Sequence, residues 1–272
     1  MKTQSLCYNS RMGSKPQTNR MFAVMPSLVG MLMLSLNLHA QPISVPNGSF
    51  ESPSTPFVSN NFDSWQKSAR PAYFDFVEQN YGYTWNQMSG VFAGTGAYGN
   101  LHGSQAAYLF SFPQVGLLQD YDTIDYNDAA PTHDFNATFD AGKSYSLTLG
   151  VFGKGFAGNM TEGSMLGLSL YYRDGVNMVT VGTSTVVTYT AAGFPNFGAL
   201  NLQDFQVNIP TVQLGDAWAG QHIGIKIESI YGTGDGYWDI DNVRLTAVPE
   251  PGSLGLIAIG GLLFALRSRN RH

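Results

Sequence analysis

The chain has a single cysteine among 272 residues, Cys7, and it lies outside the central region. Residues 41–247 therefore hold no disulfide, no cysteine-bound zinc and no cysteine nucleophile. Charge is also scarce: Asp, Glu, Lys and Arg make up 12% of the sequence, about half the usual share. Seven of the 14 Lys and Arg sit in the two tails, while all 19 Asp and Glu lie between Glu51 and Glu250. The central region thus sets seven positive charges against 19 negative ones. Such a surface repels nucleic acid at long range, so no nucleic-acid partner is expected. Histidine there is limited to His102, His133 and His222. No His-Glu-x-x-His pair, no Gly-x-Ser-x-Gly elbow and no phosphate-cradling glycine loop occurs. Long amphipathic helical periodicity is missing as well.

What remains is 43% hydrophobic, 13% aromatic and rich in glycine, with 31 residues. Between residues 41 and 247 the pattern is short apolar or alternating runs, broken by Gly, Asn, Asp and Pro. Strands are expected at 103–110, 115–121, 135–140, 144–153, 164–173, 178–189, 203–209, 222–230 and 237–247. Tyr145, Leu147, Leu149 and Val151 alternate, as do Ile223, Ile225 and Ile227. Turns fall at Ala141-Gly142-Lys143 and at Arg173–Asn177. Many short strands at this spacing give an all-β sandwich or barrel. A domain of this size has enough core to do without disulfides.

Both ends read as targeting segments. Residues 1–20 are polar and basic, 21–38 are apolar and uncharged, and Leu38-His39-Ala40 precedes Gln41. This is the layout of a secretory signal peptide spanning residues 1–40, with cleavage after Ala40. At the other end, Pro249-Glu250-Pro251 is followed by the apolar run Leu254–Leu266 and by Arg267, Arg269 and Arg271. Thirteen helical residues reach roughly 20 Å, short of a bilayer core of roughly 30 Å. Residues 248–272 resemble the PEP-CTERM sorting signal, with its motif, short helix and basic terminus in order. The resemblance implies a Gram-negative host, transient inner-membrane insertion through the C-terminal helix, and processing by an exosortase. The product would be released to the cell surface or extracellular matrix.

The central region opens Asn47-Gly48-Ser49-Phe50-Glu51 and closes Tyr237-Trp238-Asp239-Ile240-Asp241-Asn242-Val243. With Trp65, Gly103–Leu109, Leu117-Leu118-Gln119 and Ala141–Leu147 between them, these motifs resemble the galactose-binding-like jelly roll of carbohydrate-binding modules. The resemblance implies a jelly-roll β-sandwich over 41–247. It also implies one structural calcium held by Glu51 and Asp241, with Asn242 where a second Asp is frequent. Two carboxylates alone do not fill a shell of 6–8 oxygens, so backbone carbonyls would complete it. The acidic run Asp120, Asp122, Asp125 and Asp128, with Asp134 beyond, lacks the Gly and Glu of an EF-hand and reads as a solvated loop.

Aromatic residues supply the best binding material. Tyr73–Trp85 holds six of them in one short segment. Tyr81, Tyr83 and Trp85, with Asn86 beside them, combine flat apolar faces with a hydrogen-bonding amide, as a sugar platform requires. The same aromatics equally suit core packing. The expectation is a secreted, non-catalytic domain that binds a neutral extracellular polysaccharide. A structural or adhesion protein without a glycan site is one alternative, and a hydrolase whose active site leaves no motif is another.

Overall fold

The computed structural model describes residues 39–94, 96–121, 135–155, 160–195 and 200–250. The signal-peptide segment, Asp122, Asp125, Asp128, Asp134, Pro251 and the C-terminal apolar run lie outside them. Twelve strands are described: β1 Gln41–Ile43, β2 Val58–Ser59, β3 Gln66–Lys67, β4 Ser89–Ala93, β5 Gln105–Phe110, β6 Gly116–Gln119, β7 Lys143–Gly155, β8 Met165–Asp174, β9 Asn177–Thr188, β10 Gln203–Ile209, β11 Gly224–Tyr231 and β12 Gly236–Pro249. One short helix, α1 Phe74–Tyr81, and a 3-10 turn, Trp85–Met88, precede β4.

The strands form two antiparallel sheets. One runs β10-β7-β12-β5-β4-β2, with β1 also on β12; the other runs β3-β6-β11-β8-β9. This is the two-layer jelly-roll sandwich expected from the sequence. Alternation along the strands decides what fills it. Tyr145, Leu147, Leu149 and Val151 of β7 turn inward, opposite Ala247, Leu245 and Ile240 of β12. From the other sheet come Leu166, Leu168 and Leu170 of β8 and Ile225 and Ile227 of β11.

Strand β12 changes parity part-way. Trp238 and Ile240 are buried in the first half; Val243, Leu245 and Ala247 are buried in the second. The pairing with β7 shifts between Asp241 and Arg244, and Asn242 takes φ 58°. An inserted residue in the left-handed region resets the alternation, and Asn tolerates that region better than most side chains. Beyond this point Gln41 of β1 lies opposite Ala247, and Pro249 lies opposite Lys143. The Glu250 N–H donates to the Gly142 carbonyl at 2.9 Å.

Two sequence expectations need correction. Residues 135–140 form no strand; Thr138 makes one bridge to His222. Their backbone bonds go instead to the 220–223 loop, while Phe135 and Phe139 are buried. The Ala141–Lys143 turn consequently joins no hairpin. Asp120 is also no solvated loop residue. It is buried, accepts from the Tyr171 hydroxyl, and pairs with Arg173 Nε at 2.7 Å.

Candidate active site

The functional candidate lies on the outer face of the β12 sheet. Because Trp238 and Ile240 point into the core, Tyr237, Asp239 and Asp241 share the opposite face. Pairing sets Asp239 beside Tyr108 of β5 and Phe152 of β7, and Tyr237 beside Phe110 and Lys154. Tyr83, Tyr98, Tyr108, Phe110, Lys154, Tyr237 and Asp239 thus line one cavity of about 520 Å³, together with Phe57, Val58 and Phe92. That volume suits a small organic ligand.

Its walls are aromatic. Phe110 sits 5.9 Å from Tyr108, 6.3 Å from Tyr237 and 6.4 Å from Tyr83, centroid to centroid. Tyr98 arrives from the loop after β4, where it bridges Leu200 and its ring packs 5.5 Å from Phe152. Tyr83 follows Gly82, whose φ of 71° ends α1. A reciprocal Thr84–Gln87 capping box then fixes the backbone that carries Tyr83.

Asp239 is the unusual member. It is 2% exposed and accepts a hydrogen bond from the Tyr98 hydroxyl at Oδ2; Oδ1 has no partner among the described residues. Burial pushes its carboxyl up to about 7, against small lowering effects from the Tyr98 hydrogen bond and the Lys154 charge. A carboxyl taken from water without a cation in contact favours its neutral, proton-carrying form. Burial raises Tyr98 far above the ordinary phenol range, with the charge of Asp239 adding to it. Tyr108 and Tyr237 are pushed up to about 12, chiefly by burial. The cavity therefore offers one proton donor among neutral phenols and aromatic faces.

Of the four sequence-selected binding residues, only Tyr83 lines this cavity; it is 44% exposed. Tyr81 is exposed at the end of α1, with its ring against Phe76. Trp85 belongs to the core. It is 6% exposed, stands edge-on to Phe74 at 4.9 Å, and donates its indole N–H to the Ser68 carbonyl at 2.9 Å. Asn86 faces Lys67, whose ammonium donates to the Asn86 carbonyl, Asn86 Oδ1 and the Ser89 carbonyl at 2.5–2.9 Å. Asp239, Tyr98 and Lys154 were not singled out from sequence. The one available signal was Trp-Asp-Ile-Asp on the closing strand, which places two carboxylates on one face opposite two apolar side chains.

Glu51 and Asp241 do come together. Glu51 Oε1 accepts from the Ser104 and Gln105 N–H groups, each at 2.8 Å. Asp241 Oδ2 accepts from the His102 N–H at 2.6 Å. Burial, and to a lesser degree the Glu51 charge, push Asp241 up to about 7. Asp241 Oδ1 is buried without a partner, an acceptor a bound cation would satisfy. No third acidic, His or Cys side chain joins the pair among the described residues.

Residues 41–246 match the family model described as HpiC1 cyclase. The chain belongs to the HpiC1-like cyclase family. The expectation of a non-catalytic domain is overturned by this membership, since the family is one of enzymes. The family's domain is followed directly by a PEP-CTERM protein-sorting motif at residues 247–270, which marks an exported protein sorted by an exosortase. A cyclase from Fischerella sp. TAU shares the fold, with a TM-score of 0.50 and 21% identity, covering 78% of this chain and 98% of that one. The same holds for a Fischerella sp. TAU cyclase in complex with 4-(1H-indol-3-yl)butan-2-one, at 0.50 and 22%, covering 77% and 98%. A carbohydrate-binding module in complex with β-1,4-galactotriose matches at a TM-score of 0.40 and 15% identity, covering 76% and 97%, too remote to carry an argument. Among proteins of curated function, none matches the chain by sequence.

Proposed function

We propose that the protein is an exported cyclase that closes a ring on an aromatic substrate by proton transfer from Asp239. The observation that carries this reading is the Asp239 carboxyl, hydrogen-bonded by Tyr98, in the wall of the aromatic cavity. Family membership supports it, and so does the indole compound held by the Fischerella cyclase. In this reading the Asp239 O–H bond breaks as its proton adds to a substrate carbon. A π bond elsewhere in the same molecule attacks the resulting cation and forms the ring carbon–carbon bond. A proton then returns to the Asp239 carboxylate, so the reaction is an isomerisation and needs no co-reactant. Tyr98 orients the carboxyl by donating to Oδ2, which leaves Oδ1 to carry the proton. The aromatic faces stabilise the developing positive charge.

The test uses residues 41–250 with an indole carrying an alkenyl side chain, and follows a cyclic isomer of unchanged mass by chromatography. Asp239→Asn keeps the shape but removes the acid. Turnover should fall by at least about a hundredfold, the lower range for a general acid, while 4-(1H-indol-3-yl)butan-2-one remains bound in calorimetry. Equal turnover by wild type and Asp239→Asn would reject the mechanism.

Exposed Tyr83 at the mouth, with exposed Tyr81 on the same connection, favours a second use of this face, retention of a neutral polysaccharide. Loss of retention in Tyr83→Ala but not in Asp239→Asn would support it. The reading also includes one structural calcium held by Glu51 and Asp241, which would tie the opening turn to the closing strand and satisfy Asp241 Oδ1. At a free concentration 100 times its Kd, calcium would add about 2.7 kcal/mol. Chelation should then lower the Tm of the wild type and leave Glu51→Ala nearly unmoved. An unmoved wild-type Tm, with metal removal verified, rejects the calcium.

A further inference from the structure

Residues 41–250 contain seven cationic side chains. Six of them are engaged by the protein itself. Lys67 is surrounded by carbonyl oxygens, and Arg70 pairs with Asp75 and Glu78. Lys143 pairs with Asp140, Arg173 with Asp120, Lys226 with Glu228, and Arg244 with Asp204. The ammonium of Lys154 alone forms no hydrogen bond or ion pair with any described residue, the residue's backbone being held in the β7–β12 ladder. It is also the one cation that lines the aromatic cavity.

Its placement follows from the strand. Lys154 is the penultimate residue of β7 and lies opposite Tyr237. Alternation puts it on the same sheet face as Phe152 and therefore beside the Asp239 register. Asp239 does not neutralise it by contact: the Asp239 carboxyl accepts from Tyr98 and forms no ion pair with Lys154. A half-buried ammonium against aromatic walls is only partly hydrated, and an uncompensated charge there is unfavourable. In a domain with so few cations, each otherwise committed, a ligand is left as the source of the missing counter-charge.

We infer that Lys154 is the anion subsite of the cavity, and that the substrate is an aromatic molecule bearing a carboxylate or an equivalent anionic oxygen. The inference rests on the proposed aromatic cavity but adds a requirement that cavity does not impose. The aromatic body would stack among Phe110, Tyr237 and Tyr83, with the anionic group at Lys154 and the reacting carbon toward Asp239. Only the Lys154 end of this arrangement discriminates charge.

Two probes of nearly identical shape separate the ideas. 3-(1H-indol-3-yl)propanoate and 4-(1H-indol-3-yl)butan-2-one differ by a carboxylate oxygen in place of a methyl group. Calorimetry on residues 41–250 gives the ratio of their Kd values within each variant, so general loosening of the cavity cancels. Wild type should prefer the acid by about five- to tenfold, the range of a partly desolvated ion pair. Lys154→Met should abolish or invert the preference, and Lys154→Arg should keep it. The preference should also shrink at high salt. A wild type that binds the ketone but shows no preference, or whose preference survives Lys154→Met, overturns the subsite alone. A wild type that binds neither probe overturns both the subsite and the aromatic cavity as an indole site.

Discussion

Asp239 joins stability to pH in a direction opposite to most acids. Its folded-state value lies above its unfolded one, so the folded protein holds the proton more tightly. The stability associated with the neutral carboxyl is fully present below about pH 4 and is lost as pH rises toward about 7. Asp239→Asn has no such proton to lose. Denaturant midpoints of the two proteins should therefore diverge between pH 4 and pH 7, to the advantage of the variant, and run parallel above. Parallel curves across the whole range would mean that the carboxyl is hydrated after all. The same residue shows why the site was hard to see in the sequence. Asp239 and Tyr98 are 141 positions apart, and no spacing pattern links the two. The register of β12 and the course of the loop after β4 bring them together, and both are properties of the folded chain.

At the scale of elements, the long strands are the most legible; of the shorter ones, four-residue β6 is legible and five-residue β4 is not. The long strands β7, β8, β9, β10, β11 and β12 fall within a few residues of the ranges read from alternation and turn residues. Strands β1, β2 and β3 have two or three residues each and are defined by their partners, so no internal pattern announces them. Helix α1 escaped because its eight residues, Phe-Asp-Phe-Val-Glu-Gln-Asn-Tyr, read equally as an aromatic loop. Only Phe74 and Val77 of α1 are buried, a face too narrow for a clear helical period. The aromatic segment consequently divides into two roles. Tyr83 serves the cavity, whereas Trp85 anchors the 3-10 turn against Phe74. Trp85→Ala should destabilise the domain by about 3–5 kcal/mol, the usual penalty for emptying a large aromatic site. Urea denaturation would detect this, and a change below about 1 kcal/mol would place Trp85 outside the core.

At the scale of the whole molecule, the sorting motif has no spacer from the sheet. Val248 and Pro249 pair with Ser144 and Lys143, and the Glu250 N–H is bonded to Gly142. A chain ending at Ala247 loses these contacts; one ending at Pro251 keeps them. With about 1 kcal/mol net per backbone hydrogen bond, the shorter chain should be less stable by about 1–3 kcal/mol. Equal urea midpoints would show that the end of β12 contributes nothing.

The pairing of Gln41 with Ala247 carries a geometric consequence for the living cell. Since β1 runs antiparallel to β12, the polypeptide enters and leaves the sandwich at one pole. Asp239 stands ten residues up the last strand from Pro249, about 33 Å at the rise of extended chain. The end of β12 that carries Asp239 is thus the one remote from Pro249, which lies in the sorting motif. On the proposed reading, removal of the tail would set where the cyclase works rather than whether its site is formed.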